Sequence, residues 1–310
     1  MTIELLNDYL EALDDSLTQS FPPSQGPVFF IAALPRAGST FLQQLLATCT
    51  SIGYVSNILA RFWKTPYLGS MVEKSLSCTS FASSFRSEYG NTAGPLEPHE
   101  WGWFWQKWLG LSGDAHYAQE ENIDTMGLAR KLAAIEYVKG NSLVFDNVYT
   151  VANMDILARS LPCVGIIHLA RDPFYVMNSL LNARMKRYGK TDTFYGHRPR
   201  NIDAILAMRD PVEQVAAQTR AITREIETSM NMVPASSLMR MEYSELVSHP
   251  VESVERIAGF VRDLGGTLSL RPENFSLLPA FPHRDDPALI HPDFRDRLAF
   301  FHNQYFCKTP

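Results

Sequence analysis

Phe29-Phe30-Ile31-Ala32-Ala33-Leu34-Pro35-Arg36-Ala37-Gly38-Ser39-Thr40-Phe41 carries an apolar run into a short turn and then directly into a helical stretch. An unbroken apolar run suits a strand covered on both faces, the usual situation in a parallel sheet. The turn matters chemically. The first turn of a helix presents unpaired N–H donors and the positive end of the helix dipole, so strand, loop and helix together gather donors around an anion.

The loop is close to a nucleotide-binding Walker loop but lacks two of its parts. That loop needs G-x-x-x-x-G-K-[ST], with the lysine on the β/γ-phosphates and the hydroxyl on magnesium. Here position 33 is alanine, Ser39 stands where the lysine belongs, and the nearest cation is Arg36. Such a loop cradles an oxyanion without the groups that activate a triphosphate. A second segment, Cys163 to Leu169, reads as another buried strand. It ends in Ala170-Arg171-Asp172-Pro173 and leads into a helix with Val176, Leu180 and Leu181. Pro173 suits the first helical position and Asp172 the N-cap. Arg171 and Ser179 can then both face the carboxyl edge of the sheet, where doubly wound folds bind ligands.

Pro35 to Leu42 resembles the loop that holds the 5′-phosphosulfate of PAPS (3′-phosphoadenosine 5′-phosphosulfate) in the sulfotransferase family. Ile167 to Pro173 with Ser179 is similar to that family's 3′-phosphate motif. Met239-Arg240-Met241-Glu242-Tyr243-Ser244-Glu245-Leu246, continuing to Phe260, is similar to its tyrosine-bearing strand end, where the tyrosine lies near adenine. The three segments stand in the family's order across roughly residues 28 to 264. The resemblance implies an α/β fold with a mainly parallel sheet flanked by helices on both faces, in a P-loop-like three-layer arrangement. It also implies transfer of a sulfuryl group from PAPS to a hydroxyl or amine, leaving PAP. Donor contacts are expected from Arg36, Ala37, Gly38, Ser39, Thr40, Phe41, Arg171, Ser179 and Tyr243, with Arg36 also on the leaving-group side of the sulfate. The scheme calls for no metal.

Composition agrees with an enzyme of this kind. A 45% hydrophobic fraction beside 20% charged residues is ordinary for a globular chain of 310 residues. A net charge of −5 gives no general attraction to nucleic acid or anionic membrane, so local arginines must handle the donor's charge. Cys49, Cys78, Cys163 and Cys307 show no C-x-x-C spacing and read as reduced thiols of a cytoplasmic protein. No apolar run approaches the length of a membrane span, and the acidic, amphipathic opening is not a signal peptide.

The pattern predicts a single domain over residues 1–310. It has an N-terminal helix at about 2–19, an aromatic lid or acceptor insertion at about 61–110, and a proline-rich tail at about 266–310. Between them strands and helices alternate, with a short strand at 53–56, helix at 124–139, strand at 143–145, one long helix over 202–230 and a strand at 237–241.

The general base should be a histidine or carboxylate within hydrogen-bond reach of the acceptor. Gly94 to Trp105 puts Glu97, His99 and Glu100 beside an aromatic cluster; His99 ranks first, then Glu100, then Glu97. Asp146 is a rival, at a strand end where cytosolic members of the family carry a lysine-threonine-histidine run. Tyr195 to Pro199 reads as a loop over the site or a plain turn, and Arg284 as a minor phosphate contact opposed by Asp285 and Asp286. The tryptophans at 101, 103, 105 and 108 fit a core beneath the lid or an acceptor pocket. A P-loop kinase with a degenerate loop, and a nucleotide-binding relative without turnover, are the alternative readings. The acceptor has no readable code.

Overall fold

The computed structural model describes residues 3–24, 26–76 and 81–307; Cys78 lies outside the described residues. Helix α1 (Ile3–Thr18) precedes strand β1 (Val28–Ala33), which passes through the 34–38 loop into α2 (Ser39–Cys49). The next segment holds α3 (Pro66–Leu76), a small hairpin of β2 (Ser87–Glu88) and β3 (Asn91–Thr92), and α4 (Gly102–Trp108). Then follow α5 (Thr125–Lys139), β4 (Val144–Phe145), α6 (Val148–Ala152), α7 (Met154–Ser160), β5 (Val164–Ala170) and α8 (Pro173–Tyr188). The remainder comprises α9 (Ile202–Leu206), α10 (Pro211–Met230), β6 (Leu238–Glu242), α11 (Tyr243–Ser248), α12 (Pro250–Asp263) and, beyond a run of short turns, α13 (Arg295–His302).

The central sheet is wholly parallel, in the order β4-β1-β5-β6. Its register sets Phe29 beside Val144, Ile31 beside Ile167, and Leu169 beside Met241. Successive side chains on a strand point to opposite faces. Phe29 meets Phe260 of α12 at 5.8 Å, while Phe30 meets Trp105 of α4 at 5.7 Å. Both phenylalanines are fully buried, so helices cover the sheet on its two sides. Because all four strands run the same way, the turns after them open on one edge: residues 34–38, Asp146–Asn147, Arg171–Asp172 and Tyr243.

Local chemistry accounts for most boundaries. Asp172 caps α8 by accepting from the Phe174 N–H, with Pro173 in the first turn. Asp124 caps α5 in the same way, accepting from Gly127. The single helix expected over 202–230 is two. Asp210 accepts from the N–H groups of Val212 and Glu213 and begins α10 at Pro211, whose ring and missing N–H would break a continuous helix. The strand expected at 53–56 is reduced to isolated bridges, Gly53 to Leu143 and Ser56 to Pro98. Helix α1 docks through a buried pair, Asp14 with Lys131 at 2.6 Å, and Asp14 also accepts from the Leu68 N–H at 2.9 Å.

The aromatic insertion contributes to the core. Trp101 and Trp105 are fully buried, whereas Trp103 stands 65% exposed on the outer side of α4. Trp101 stacks on Phe104 at 3.9 Å with the rings within 4° of parallel. Among the described residues no helix is long and apolar enough to cross a membrane.

Candidate active site

The turns at the carboxyl edge of the sheet frame a cleft of about 1180 Å³. Pockets for one drug-sized ligand occupy roughly 300–1,000 Å³, so the cleft has room for two reactants side by side.

The 34–38 loop forms one wall. Arg36 has φ 73° and Gly38 φ 102°, both left-handed. For arginine that conformation costs about 1–2 kcal/mol. It turns the Arg36 carbonyl toward Arg171, whose Nη1 donates to it at 2.5 Å. The Arg36 side chain reaches across to Ser179 on α8, with Nε donating to Oγ at 3.3 Å. Gly38 is held by more than its dihedral: a Cβ there would lie 2.8 Å from Tyr243 Cδ2. Tyr243 therefore packs directly on the loop, and the Arg171 guanidinium lies 4.2 Å from its ring centre. Arg36, Gly38, Ser39, Thr40, Phe41, Arg171, Ser179 and Tyr243 all line the cleft. Ala37 is fully buried behind them.

Arg171 is nearly enclosed and already holds an anion. Its Nε donates to Asp285 Oδ1 at 2.8 Å, and its Nη2 forms an ion pair with the same oxygen at 2.6 Å. Asp285 comes from the segment after α12, where Phe281 packs on Phe41 at 4.5 Å and on Phe85 at 5.1 Å. Arg284 also lines the cleft.

Two carboxyl groups face the 34–38 loop across the cleft. Asp146, at the end of β4, is buried beside Ser39, and its Oδ2 has no partner. Burial pushes it up to about 6, with the Ser39 hydroxyl pulling the other way. Glu100 is half-buried and lines the same cleft. Burial, and then the negative charge of Asp146, push Glu100 up to about 8, against the pull of Arg36. Asn147 fixes the arrangement: its Nδ2 donates to the Glu100 carbonyl at 2.9 Å, and its Oδ1 caps α6.

Glu97 and His99, the other two candidates for the base in the 97–100 run, point elsewhere. Glu97 is buried beneath the cleft, accepting from Gln44 Nε2 at 3.1 Å, Ser83 Oγ at 2.7 Å and the Ser84 N–H at 2.6 Å. His99 turns back on its own chain, its Nδ1 accepting from the Trp101 N–H at 2.8 Å. Burial and the nearby Arg61 lower its pKa. Neither is part of the cleft lining.

Part of the cover over Arg36 and Glu100 comes from Tyr89 and Gly90, which the sequence does not single out as site residues. Tyr89, at the hairpin tip with φ 52°, places its ring 5.2 Å from the Arg36 guanidinium and 6.1 Å from Tyr195. At Gly90, φ 86°, a Cβ would fall 2.3 Å from Glu100 Oε1. The Tyr-Gly-Asn turn at 89–91 is a hairpin signal, but nothing local to it indicates that it closes over Glu100. The loop at 195–197 joins this wall. His197 is buried there, its Nε2 3.3 Å from the Tyr117 hydroxyl, which donates to Glu225 at 2.7 Å. Among the described residues no group of three or more His, Cys, Asp or Glu is placed to hold a metal ion.

Residues 27–262 match the model of the family described as "Sulfotransferase family". Among solved structures, sulfotransferase STF1 from Mycobacterium tuberculosis H37Rv superposes over 96% of this chain and 82% of its own, at 13% identity and a TM-score of 0.56. Sulfotransferase STF9 from Mycobacterium avium does so over 97% and 80%, at 13% identity and a TM-score of 0.54. No curated protein matches the sequence.

Proposed function

This chain belongs to the sulfotransferase family, and from that we propose that it takes a sulfuryl group from PAPS and passes it to a hydroxyl or amine of a small-molecule, lipid or glycan acceptor, with Glu100 as general base. The observation that carries the reading is the meeting of both donor motifs, through the Arg36–Ser179 bond, directly across from the Glu100–Asp146 pair. The site fits an anionic donor on its own evidence. Arg171, nearly enclosed at the sheet edge, already donates a hydrogen bond to, and forms an ion pair with, a carboxylate oxygen, as an oxyanion site should.

The 34–38 loop and the Ser39 and Thr40 hydroxyls receive the 5′-phosphate, Arg171 and Ser179 the 3′-phosphate, and Tyr243 the adenosine. Arg36 neutralises charge on the bridging oxygen. The acceptor lies beneath Tyr89 and Tyr195. Its oxygen or nitrogen attacks sulfur, and the proton it loses goes to a Glu100 carboxylate oxygen. The S–O bond to the 5′-phosphate breaks, and its electron pair leaves on PAP. Little covalent work falls to the protein, which contributes positioning and charge stabilisation, as in phosphoryl transfer. Asp146 makes Glu100 a stronger base by opposing its negative charge. Cys49, Cys163 and Cys307 are all unpaired, which supports a cytoplasmic setting.

Calorimetric titration with 3′,5′-adenosine bisphosphate, 5′-AMP and Mg·ATP, on wild type and Arg171→Ala, tests the donor assignment. The expected result is preference for the bisphosphate, lost in the variant. Magnesium-dependent ATP binding would move the assignment to a kinase, in which Asp146 beside Ser39 holds the metal. Bisphosphate binding with no turnover on any acceptor would make the chain a nucleotide-binding relative.

A further inference from the structure

The geometry points to Asp285 as an internal stand-in for the donor's 3′-phosphate: the segment 279–289 is a strap that Asp285 latches onto Arg171, and the donor binds by displacing the latch. The inference rests on the reading of PAPS as donor and adds a gate to it.

Three features support it. The first is the quality of the occupied site. Arg171 has a side chain only 7% exposed, sandwiched between the Arg36 carbonyl, the Tyr243 ring and Asp285. A buried guanidinium without a partner is strongly unfavourable, so some anion must be there whenever the donor is absent. A phosphate offers more charge and more acceptor oxygens than a carboxylate, which makes it the better partner when it arrives.

The second is the way the strap is held. Among the described residues, positions 279–285 make no backbone-to-backbone hydrogen bond. Their anchors are side chains: Phe281 against Phe41 and Phe85, His283 edge-on to Tyr243 at 6.2 Å and 3.1 Å from Ser248 Oγ, and Asp285 on Arg171. A segment fastened this way can open locally without disturbing a ladder. Its far end is fixed, with Ile290 buried and the Leu289 carbonyl accepting from Asn178 at 3.3 Å.

The third is position. His283 and Asp285 cover the Tyr243 ring and the Arg171 guanidinium, the two groups assigned to adenosine and to the 3′-phosphate. The same strap meets the donor loop at Phe41 and the wall before the hairpin at Phe85, so its lifting also loosens the side where the acceptor enters.

Calorimetry with 3′,5′-adenosine bisphosphate on the full chain tests this. Asp285→Asn and Asp285→Ala should each tighten bisphosphate binding about tenfold, and Asp285→Asn in an Arg171→Ala background should change it by less than twofold. Hydrogen exchange supplies a measurement without substitution: amides of 281–289 should exchange faster with saturating bisphosphate. Unchanged or weaker binding in the Asp285 variants, or slower exchange of the strap, would overturn the inference. A 5′-AMP arm separates the two levels. If wild type does not distinguish bisphosphate from 5′-AMP, the donor assignment fails. If it does, and the Asp285 variants bind no tighter, the latch alone fails.

Discussion

Asn147 and Glu100 are joined by one hydrogen bond, amide nitrogen to main-chain carbonyl at 2.9 Å, and through it the end of β4 sets the position of the carboxyl group that faces the donor loop. The bond brings Glu100 near Asp146, the residue immediately before Asn147, whose negative charge raises the proton affinity of Glu100.

A pH dependence follows. Glu100 is raised to about 8, so the base form accumulates, and transfer increases, as pH climbs through that value. Asp146→Asn removes the repelling charge and should move the midpoint to lower pH. Carbon-detected NMR of the carboxyl groups, assigned with Glu100→Gln, reads the titration without an acceptor. A midpoint unmoved by Asp146→Asn would show that the neighbour has no such role.

The same group has a stability signature of the opposite sense. An unfolded glutamate ionises near 4.5, whereas in the folded protein it holds its proton to about 8. The folded state therefore binds more protons between these values, and this contribution to stability is complete below 4.5 and lost as pH rises toward 8. Glu100→Gln should melt higher than wild type at pH 8.5 and close to it at pH 4.5. Melting curves at the two values check this.

Glu97 and His99 supply a contrast. Glu97→Gln disturbs three hydrogen bonds in a buried setting and should cost about 1–3 kcal/mol in chemical denaturation. Neither Glu97→Gln nor His99→Asn should move the Glu100 titration, and transfer should persist in both. Abolished transfer in a stably folded His99→Asn protein would shift the role of base to that residue.

Arg36 and Gly38 separate conformation from chemistry. Arg36→Gly relieves a left-handed arginine and keeps the turn, so stability should rise by about 1 kcal/mol. Turnover should fall about 10²–10³-fold with loss of the guanidinium, the scale seen when one charge-stabilising donor is removed. Gly38→Ala meets both an unfavourable φ and the Tyr243 ring, and should destabilise by about 1–3 kcal/mol while weakening bisphosphate binding. Equilibrium unfolding and calorimetry on each variant distinguish the outcomes.

Much of the scaffold can be read along the chain because its signals are local. The apolar runs of β1 and β5, the Asp172-Pro173 start of α8 and the loop before α2 depend only on neighbouring residues. Asp210-Pro211 carries the same kind of signal, and an amphipathic pattern running across it hides the break. The site is less legible where it depends on direction. Glu97, His99 and Glu100 lie within four positions, yet they point into the core, back along the chain and into the cleft. Gln44, Ser83 and Ser84 hold Glu97, the Trp101 N–H holds His99 and Asn147 holds the Glu100 carbonyl, and composition gives no sign of these partners. Asp285 is a still longer-range case, since its meaning comes from a partner 114 positions away.

The bond from Gln44 to Glu97 ties the segment bearing Glu100, Tyr89 and Gly90 to the middle of α2, whose first turn belongs to the donor loop. The chain thus keeps a constant half, made by the sheet edge, and a variable half, joined to α2 by the Gln44–Glu97 and Ser83–Thr48 bonds and to the end of β4 by Asn147. A transplanted 81–100 segment that retains a carboxylate for Gln44 could alter acceptor preference while leaving the nucleotide half intact. These joints mark what a graft into this fold has to preserve.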